Sequence, residues 1–204
     1  MTRSLVGFVL LVAVGLAVAA PVPKAVKKVP PYPYDMGTKW EYIRDGDPKK
    51  VQVEEIVEVE EKDGVVRFKT DITTPTGGKT FEWYTIKGGE VLLTANGDTE
   101  FDPPMLIRKD VMKDGDEWAV KWGMKPGQRG GLRATIEQTL TIGKAEELTT
   151  PAGKFTAVPI TRKYTGSTSA MTMWFADGVG MIKHTQDGQT EAVQELKSFT
   201  RGKK

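Results

Sequence analysis

Residues 132–142 read Leu-Arg-Ala-Thr-Ile-Glu-Gln-Thr-Leu-Thr-Ile, with Leu132, Ala134, Ile136, Leu140 and Ile142 on one face and Arg133, Thr135, Glu137, Thr139 and Thr141 on the other. A two-residue period of this kind belongs to a β-strand with one buried face. The pattern recurs along the chain. Val51, Val53, Val57 and Val59 alternate with Gln52, Glu54 and Glu58, and Val66, Phe68 and Ile72 with Arg67, Lys69 and Asp71. Trp118, Val120 and Trp122 share a face, as do Met171, Met173 and Phe175. Between these runs stand Asp63-Gly64, Gly77-Gly78, Gly88-Gly89, Asn96-Gly97, Asp114-Gly115 and Asp187-Gly188. Such pairs accept the positive φ of tight hairpin turns. One polar and one apolar face per strand implies antiparallel strands packed on a single side. The expected fold is all-β: a single curved antiparallel sheet or half-open barrel of roughly ten to twelve strands. The segment 102–113 admits two readings, a short helix capped by Asp102 or an extended crossover through Pro103 and Pro104.

The ends of the chain are of a different kind. Arg3 precedes a run from Leu5 to Ala20 without a charge, closing on Ala17-Val18-Ala19-Ala20. A charged start, a short apolar centre and a small-residue close match a secretory signal peptide, residues 1–19. Export to the periplasm or the extracellular space is expected, with no transmembrane span once the signal is cleaved. Residues 20–33 hold Pro21, Pro23, Pro30, Pro31 and Pro33 among Lys24, Lys27 and Lys28 and read as a linker. The β domain is expected over 34–200, followed by a frayed basic tail at 201–204.

Within the domain the halves echo one another. Gly37-Thr38-Lys39-Trp40 resembles Gly115-Asp116-Glu117-Trp118, and Trp83 and Trp174 each precede a glycine by six residues. The first pair of tryptophans is 78 residues apart and the second 91, which places about thirteen extra residues near 149–155. An internal duplication of a β-meander and a coincidence of common turn motifs both fit this echo.

Composition excludes more chemistry than it suggests. The 204 residues contain no Cys and one His, so disulfides, thiolate sites and multi-histidine metal centres are excluded. A formal charge of +2 gives no global attraction to nucleic acid. His184 has no acidic neighbour in sequence but Asp187 and reads as an exposed strand histidine, the alternative being a general base. Asp45-Gly46-Asp47 and Asp114-Gly115-Asp116-Glu117 lack calcium-loop spacing, and Gly127-Gln128-Arg129-Gly130-Gly131 lacks the ending of a phosphate loop. No motif selects two of the 27 acidic residues as a catalytic pair. No cofactor, metal or enzymatic activity is expected.

Three polar residues interrupt apolar faces: Glu55 among the valines of 51–59, Gln138 within 132–142, and Arg162 beside Ile160 and Tyr164. A buried polar group must be paired, solvated or facing a cavity. Each position therefore reads as part of a polar-studded pocket or as the mark of a β-bulge.

Three segments carry a family resemblance. They are Tyr34 to Tyr42 with its Gly37-Thr38-Lys39-Trp40, the hairpin Thr149-Thr150-Pro151-Ala152-Gly153-Lys154-Phe155, and the strand pair Trp174-Phe175-Ala176-Asp177-Gly178-Val179-Gly180-Met181-Ile182-Lys183. Together they resemble secreted bacterial proteins of the LolA-like, lipoprotein-carrier type of fold. That resemblance implies an incomplete antiparallel barrel whose greasy concave face shelters acyl chains, and it implies no catalytic residues. Lipocalins, with Gly-x-Trp in place of this chain's Gly-x-x-Trp, fit less well. The expected function is binding of a hydrophobic or amphipathic small molecule. Candidate binding residues are Trp40, Tyr42, Glu55, Trp83, Trp118, Trp122, Gln138, Arg162, Met171, Met173 and Phe175. The alternative is an interaction or scaffold module whose sheet receives another envelope protein.

Overall fold

The structure, a computed structural model, describes residues 32–125, 135–189 and 191–203. The signal peptide, the linker up to residue 31, and Leu132, Arg133 and Ala134 lie outside the described residues. Thirteen strands follow in chain order: β1 (Lys39–Arg44), β2 (Asp47–Lys62), β3 (Val65–Thr73), β4 (Lys79–Lys87), β5 (Glu90–Asn96), β6 (Thr99–Lys109), β7 (Glu117–Gly123), β8 (Thr135–Ile142), β9 (Glu146–Thr150), β10 (Gly153–Tyr164), β11 (Ala170–Ala176), β12 (Gly180–Gln186) and β13 (Gln194–Thr200). The described residues contain no helix, and 102–113 takes the extended reading, most of it as β6.

The sheet order is β6-β5-β4-β3-β2-β1-β13-β12-β11-β10-β8-β7, with β9 beside β10. It amounts to two six-strand meanders joined where β1 pairs with β13. Trp40 and Trp118 sit on the first strand of each meander, and Trp83 and Trp174 on the fourth when β9 is set aside. The supernumerary β9 lies where the tryptophan offsets placed the extra residues.

The two ends of this path, β6 and β7, meet. Phe101 and Met124 form an isolated bridge, Lys125 N–H donates to the Glu100 carbonyl at 3.0 Å, and Phe101 lies edge-on to Trp122 at 5.3 Å. Elsewhere these two edges lack a ladder. The result is a twelve-strand sheet nearly closed into a barrel with one unsealed seam. Along the open part, Arg162 Nη2 donates to the carbonyls of Leu106 at 2.8 Å and Ile107 at 3.1 Å. A side chain thus supplies donors that a neighbouring strand would otherwise provide. Lys109 lies over the Trp118 ring at 4.9 Å.

One end of the barrel is filled. Trp40, Ile56, Val66, Phe68, Ala157, Ile182 and Leu196 pack there, with Leu148 and Phe155 of the β9–β10 hairpin against them. Tyr32 crosses this floor, stacked on Phe68 at 5.9 Å and near Tyr84 at 6.4 Å. Pro33 is buried beside it. Both residues therefore belong to the domain, although the proline count placed them in the linker. The expected fraying of the tail is also corrected at its start. Arg201 Nε pairs with Asp35 at 2.7 Å and Gly202 N–H donates to Thr38 Oγ1 at 3.1 Å, because the chain leaves β13 directly beside the 35–38 turn.

The valine face of 51–59 requires a further correction. Gln52 and Ile56 are buried and Glu54 faces inward, whereas Glu55 is exposed on the outer side. The register of β2 against β3 shifts between Ile56 and Glu58, and this bulge at Val57 returns Val59 to the inner packing. A bulge reverses strand parity, so valines that alternate in sequence do not share one face.

Candidate functional site

Above the floor the barrel encloses a cavity of about 390 Å³. Its apolar lining comes from Ile72 on β3, Leu93 on β5, Met105 and Ile107 on β6, Met171, Met173 and Phe175 on β11, and Met181 on β12. Methionines suit such a wall, since an unbranched thioether side chain adapts to ligands of uneven shape. Leu140, Ile142 and Ile160 pack beside Met173 and Phe175 on the same inner face.

The polar lining gathers toward the end away from the floor. Arg44 Nη1 donates to Gln52 Oε1 at 3.2 Å, and Gln52 Nε2 donates to Glu54 at 2.6 Å. Gln194 on β13 reaches Glu54 at 3.4 Å. On β4, Glu82 accepts from the Tyr84 hydroxyl and from Asn96 Nδ2, the latter at 3.0 Å. Burial pushes the Glu54 carboxyl up to about 7, with the nearby Glu82 adding to the rise and Gln52, Arg44 and Gln194 opposing it. Burial also raises Glu82, against the hydrogen bonds from Tyr84 and Asn96. Burial lowers the His184 imidazole, partly offset by Gln194. Arg162 is brought down to about 10 by burial, so it stays a cation at neutral pH. The Tyr42 and Tyr84 hydroxyls are raised, burial being the larger cause, and stay neutral.

Of the residues expected at the site, Tyr42, Arg162, Met171, Met173 and Phe175 line the cavity. Tyr42 donates its hydroxyl hydrogen to the Met181 carbonyl at 2.9 Å. The others lie elsewhere. Trp40 is in the floor, 3% exposed, its indole N–H donating to the Val179 carbonyl at 2.6 Å. Trp118 and Trp122 stand at the seam, and Gln138 is buried in the β8 wall. Glu55 and Trp83 face outward. Trp83 lies beneath the Arg67 guanidinium at 4.0 Å in an outer groove of about 500 Å³ shared with Phe81 and Phe101.

Sequence reasoning passed over Gln52, Glu54, Glu82 and Gln194, and it took His184 for an exposed strand histidine, whereas β12 turns that side chain into the cavity. For Glu82 the available signal pointed the wrong way. Phe81 and Trp83 make the more apolar face of β4, yet Thr80, Glu82 and Tyr84 face the interior. The outer groove is the weaker site. Arg67 already covers its tryptophan, while the interior combines an apolar wall with convergent polar groups, the usual makeup of a small-molecule site. Among the described residues, no group of three or more His, Asp or Glu side chains could hold a metal ion.

No family model and no curated protein matches the sequence. Two solved structures share the fold. A Parabacteroides distasonis protein described as a lipoprotein is 17% identical, with a TM-score of 0.52 over 83% of this chain and 97% of its own. A Bacteroides fragilis protein described as exported, with a YmcC-like fold, is 15% identical, with a TM-score of 0.54 over 83% of this chain and 98% of its own. At this identity the likeness is one of fold. It agrees with an architecture found among exported bacterial proteins, and it does not single out the lipoprotein-carrier type.

Proposed function

We propose that this chain is an exported, non-enzymatic protein that binds an amphipathic small molecule, a lipid or acyl chain, inside its barrel. The observation that supports this reading is the interior cavity of about 390 Å³, lined by methionines and aliphatic side chains on one side and by polar groups toward one end. Its volume falls within the roughly 300–1,000 Å³ of ligand pockets. The N-terminal apolar segment and the exported neighbours support a destination in the periplasm or outside the cell. Native mass spectrometry of gently purified protein, with titration of a fluorescent fatty acid, tests the reading. Saturable one-to-one binding that Met171→Trp abolishes, with the fold retained, is the expected result. A protein that takes up no amphiphile refutes it.

A second reading attaches to the outer groove, where Phe81, Trp83 and Phe101 offer aromatic surface to another envelope protein. Trp83→Ala would then abolish capture of that partner and leave fatty-acid binding unchanged.

A further inference from the structure

One layer of side chains divides the interior. On β4 the inward residues Thr80, Glu82 and Tyr84 line the cavity, whereas the next inward residue, Ile86, lines a second pocket of about 310 Å³. The step repeats on β3, where Ile72 lines the cavity and Val66 the second pocket. Register sets out the layers: Ile72 pairs with Thr80, Phe68 with Tyr84, and Val66 with Ile86. The Phe68 and Tyr84 rings, stacked at 5.1 Å, therefore stand between the two spaces. The second pocket lies beyond them, at the filled end, among the turn glycines Gly64, Gly88 and Gly89.

Tyr32 completes the partition. Its ring stacks on Phe68 at 5.9 Å, with 29° between the planes, and lies 6.4 Å from Tyr84. Toward the second meander it reaches β12, where a Cβ on Gly180 would come within 3.6 Å of Tyr32 Cε2. Among the described residues, Tyr32 alone lines both spaces. It also differs in origin from the rings beside it. Phe68 and Tyr84 are ladder residues of β3 and β4, whereas Tyr32 precedes β1 and belongs to no strand. Its ring can be removed without breaking a ladder.

We infer that Tyr32 sets the length of the apolar tail that the barrel accepts. This rests on the proposed function and adds a limit on chain length to it. The polar lining gathers at the end away from the floor, so the tail of an amphiphile held there points at the floor and stops against the Tyr32 ring. Without that ring the two spaces join, and Val66 and Ile86 extend the apolar wall past it. The space gained, about 310 Å³, is comparable with the cavity of about 390 Å³.

Saturated fatty acids of even chain length, from octanoate to eicosanoate, test this by displacement of a fluorescent fatty acid. They are titrated into the full mature chain and into Tyr32→Ala, Tyr32→Leu and Tyr32→Phe. Each methylene buried should tighten binding about fourfold, up to the length at which the tail meets Tyr32. Tyr32→Ala should move that limit up by about four carbons, the reach of one inward step along a strand, roughly 6–7 Å. Tyr32→Leu keeps apolar packing on Phe68, should move the limit the same way by less, and carries the test if the alanine variant does not fold. Tyr32→Phe keeps the ring and should keep the limit. Three results overturn the tail stop and leave amphiphile binding standing: an unchanged limit in the folded Ala or Leu variant, a Phe variant shifted as far as Ala, or a wild type whose affinity still climbs at eicosanoate. Failure of every chain length to bind the wild type overturns it together with the proposed function.

Discussion

At Glu54 a carboxylate is held where water is scarce, and its proton affinity rises to about 7. The consequence for stability has a definite sign. Below the ordinary carboxylate range both folded and unfolded chains are protonated. Above it the unfolded chain ionises while the fold keeps its proton until about pH 7, so this group costs stability as pH rises across that window. Glu54→Gln should therefore be stabilising at pH 8 and near neutral at pH 4, with a difference on the order of 2 kcal/mol in urea unfolding. His184 acts in the opposite sense, because its lowered proton affinity favours the fold as pH rises. The comparison of wild type with variant isolates the carboxylate from it. Arg162 provides the second residue-scale expectation. Arg162→Leu leaves the Leu106 and Ile107 carbonyls without their donor in a buried setting, which costs roughly 2–4 kcal/mol. Hydrogen exchange should show the loss first in β6.

At the scale of elements, legibility depended on whether the strand was regular. In β3 and β8 the alternation read from sequence is the alternation found, with Val66, Phe68, Leu140 and Ile142 inside. In β2 and β4 it was not. A single bulge at Val57 exchanges the faces of β2, and β4 turns its aromatic side outward, where Lys69 and Arg67 cover Phe81 and Trp83. Neither event leaves a local mark in the sequence, because each is decided by the neighbouring strands. For the same reason Glu54 and Glu82 in the interior were missed while the methionines of β11 were found. The terminal segments behaved likewise. Composition marked Pro33 and Arg201 as loose, but Pro33 is buried, and Asp35 and Thr38 hold Arg201 and Gly202. A Cβ on Gly202 would lie 2.1 Å from the Met36 carbonyl oxygen and 2.6 Å from Thr38 N, both backbone atoms with little freedom to yield. Gly202→Ala should undock the segment and lower stability by about 1–2 kcal/mol, with faster exchange at Thr38 as the local readout.

At the scale of the whole molecule, the half-open antiparallel barrel expected from the sequence is the one found, but how its seam is held was not legible, because that depends on contacts between β6 and β7 and on an arginine 55 and 56 residues beyond the carbonyls it serves. The chain has no cysteine of its own, so the seam can be tested cleanly by a single engineered crosslink. Bridge partners lie within disulfide reach, and Phe101→Cys with Met124→Cys should form one when oxidised. The crosslink should raise stability by about 3 kcal/mol and, if the proposed amphiphile enters at the polar end of the cavity, leave its binding unchanged. A crosslinked protein that no longer exchanges ligand would show instead that the barrel admits its guest by parting at the seam.

Because β1 pairs with β13 and the 35–38 turn holds Gly202, the first and last described strands lie side by side in mid-wall, while the break in the described wall lies far away in sequence, between β6 and β7. A domain rewired so that β13 runs on into β1, and cut anew at Asp114-Gly115, would run through all twelve wall strands in strict succession from one lip of the break to the other. Such a permutant should fold to the same shape, and it would show that the order of synthesis is not what shapes this vessel.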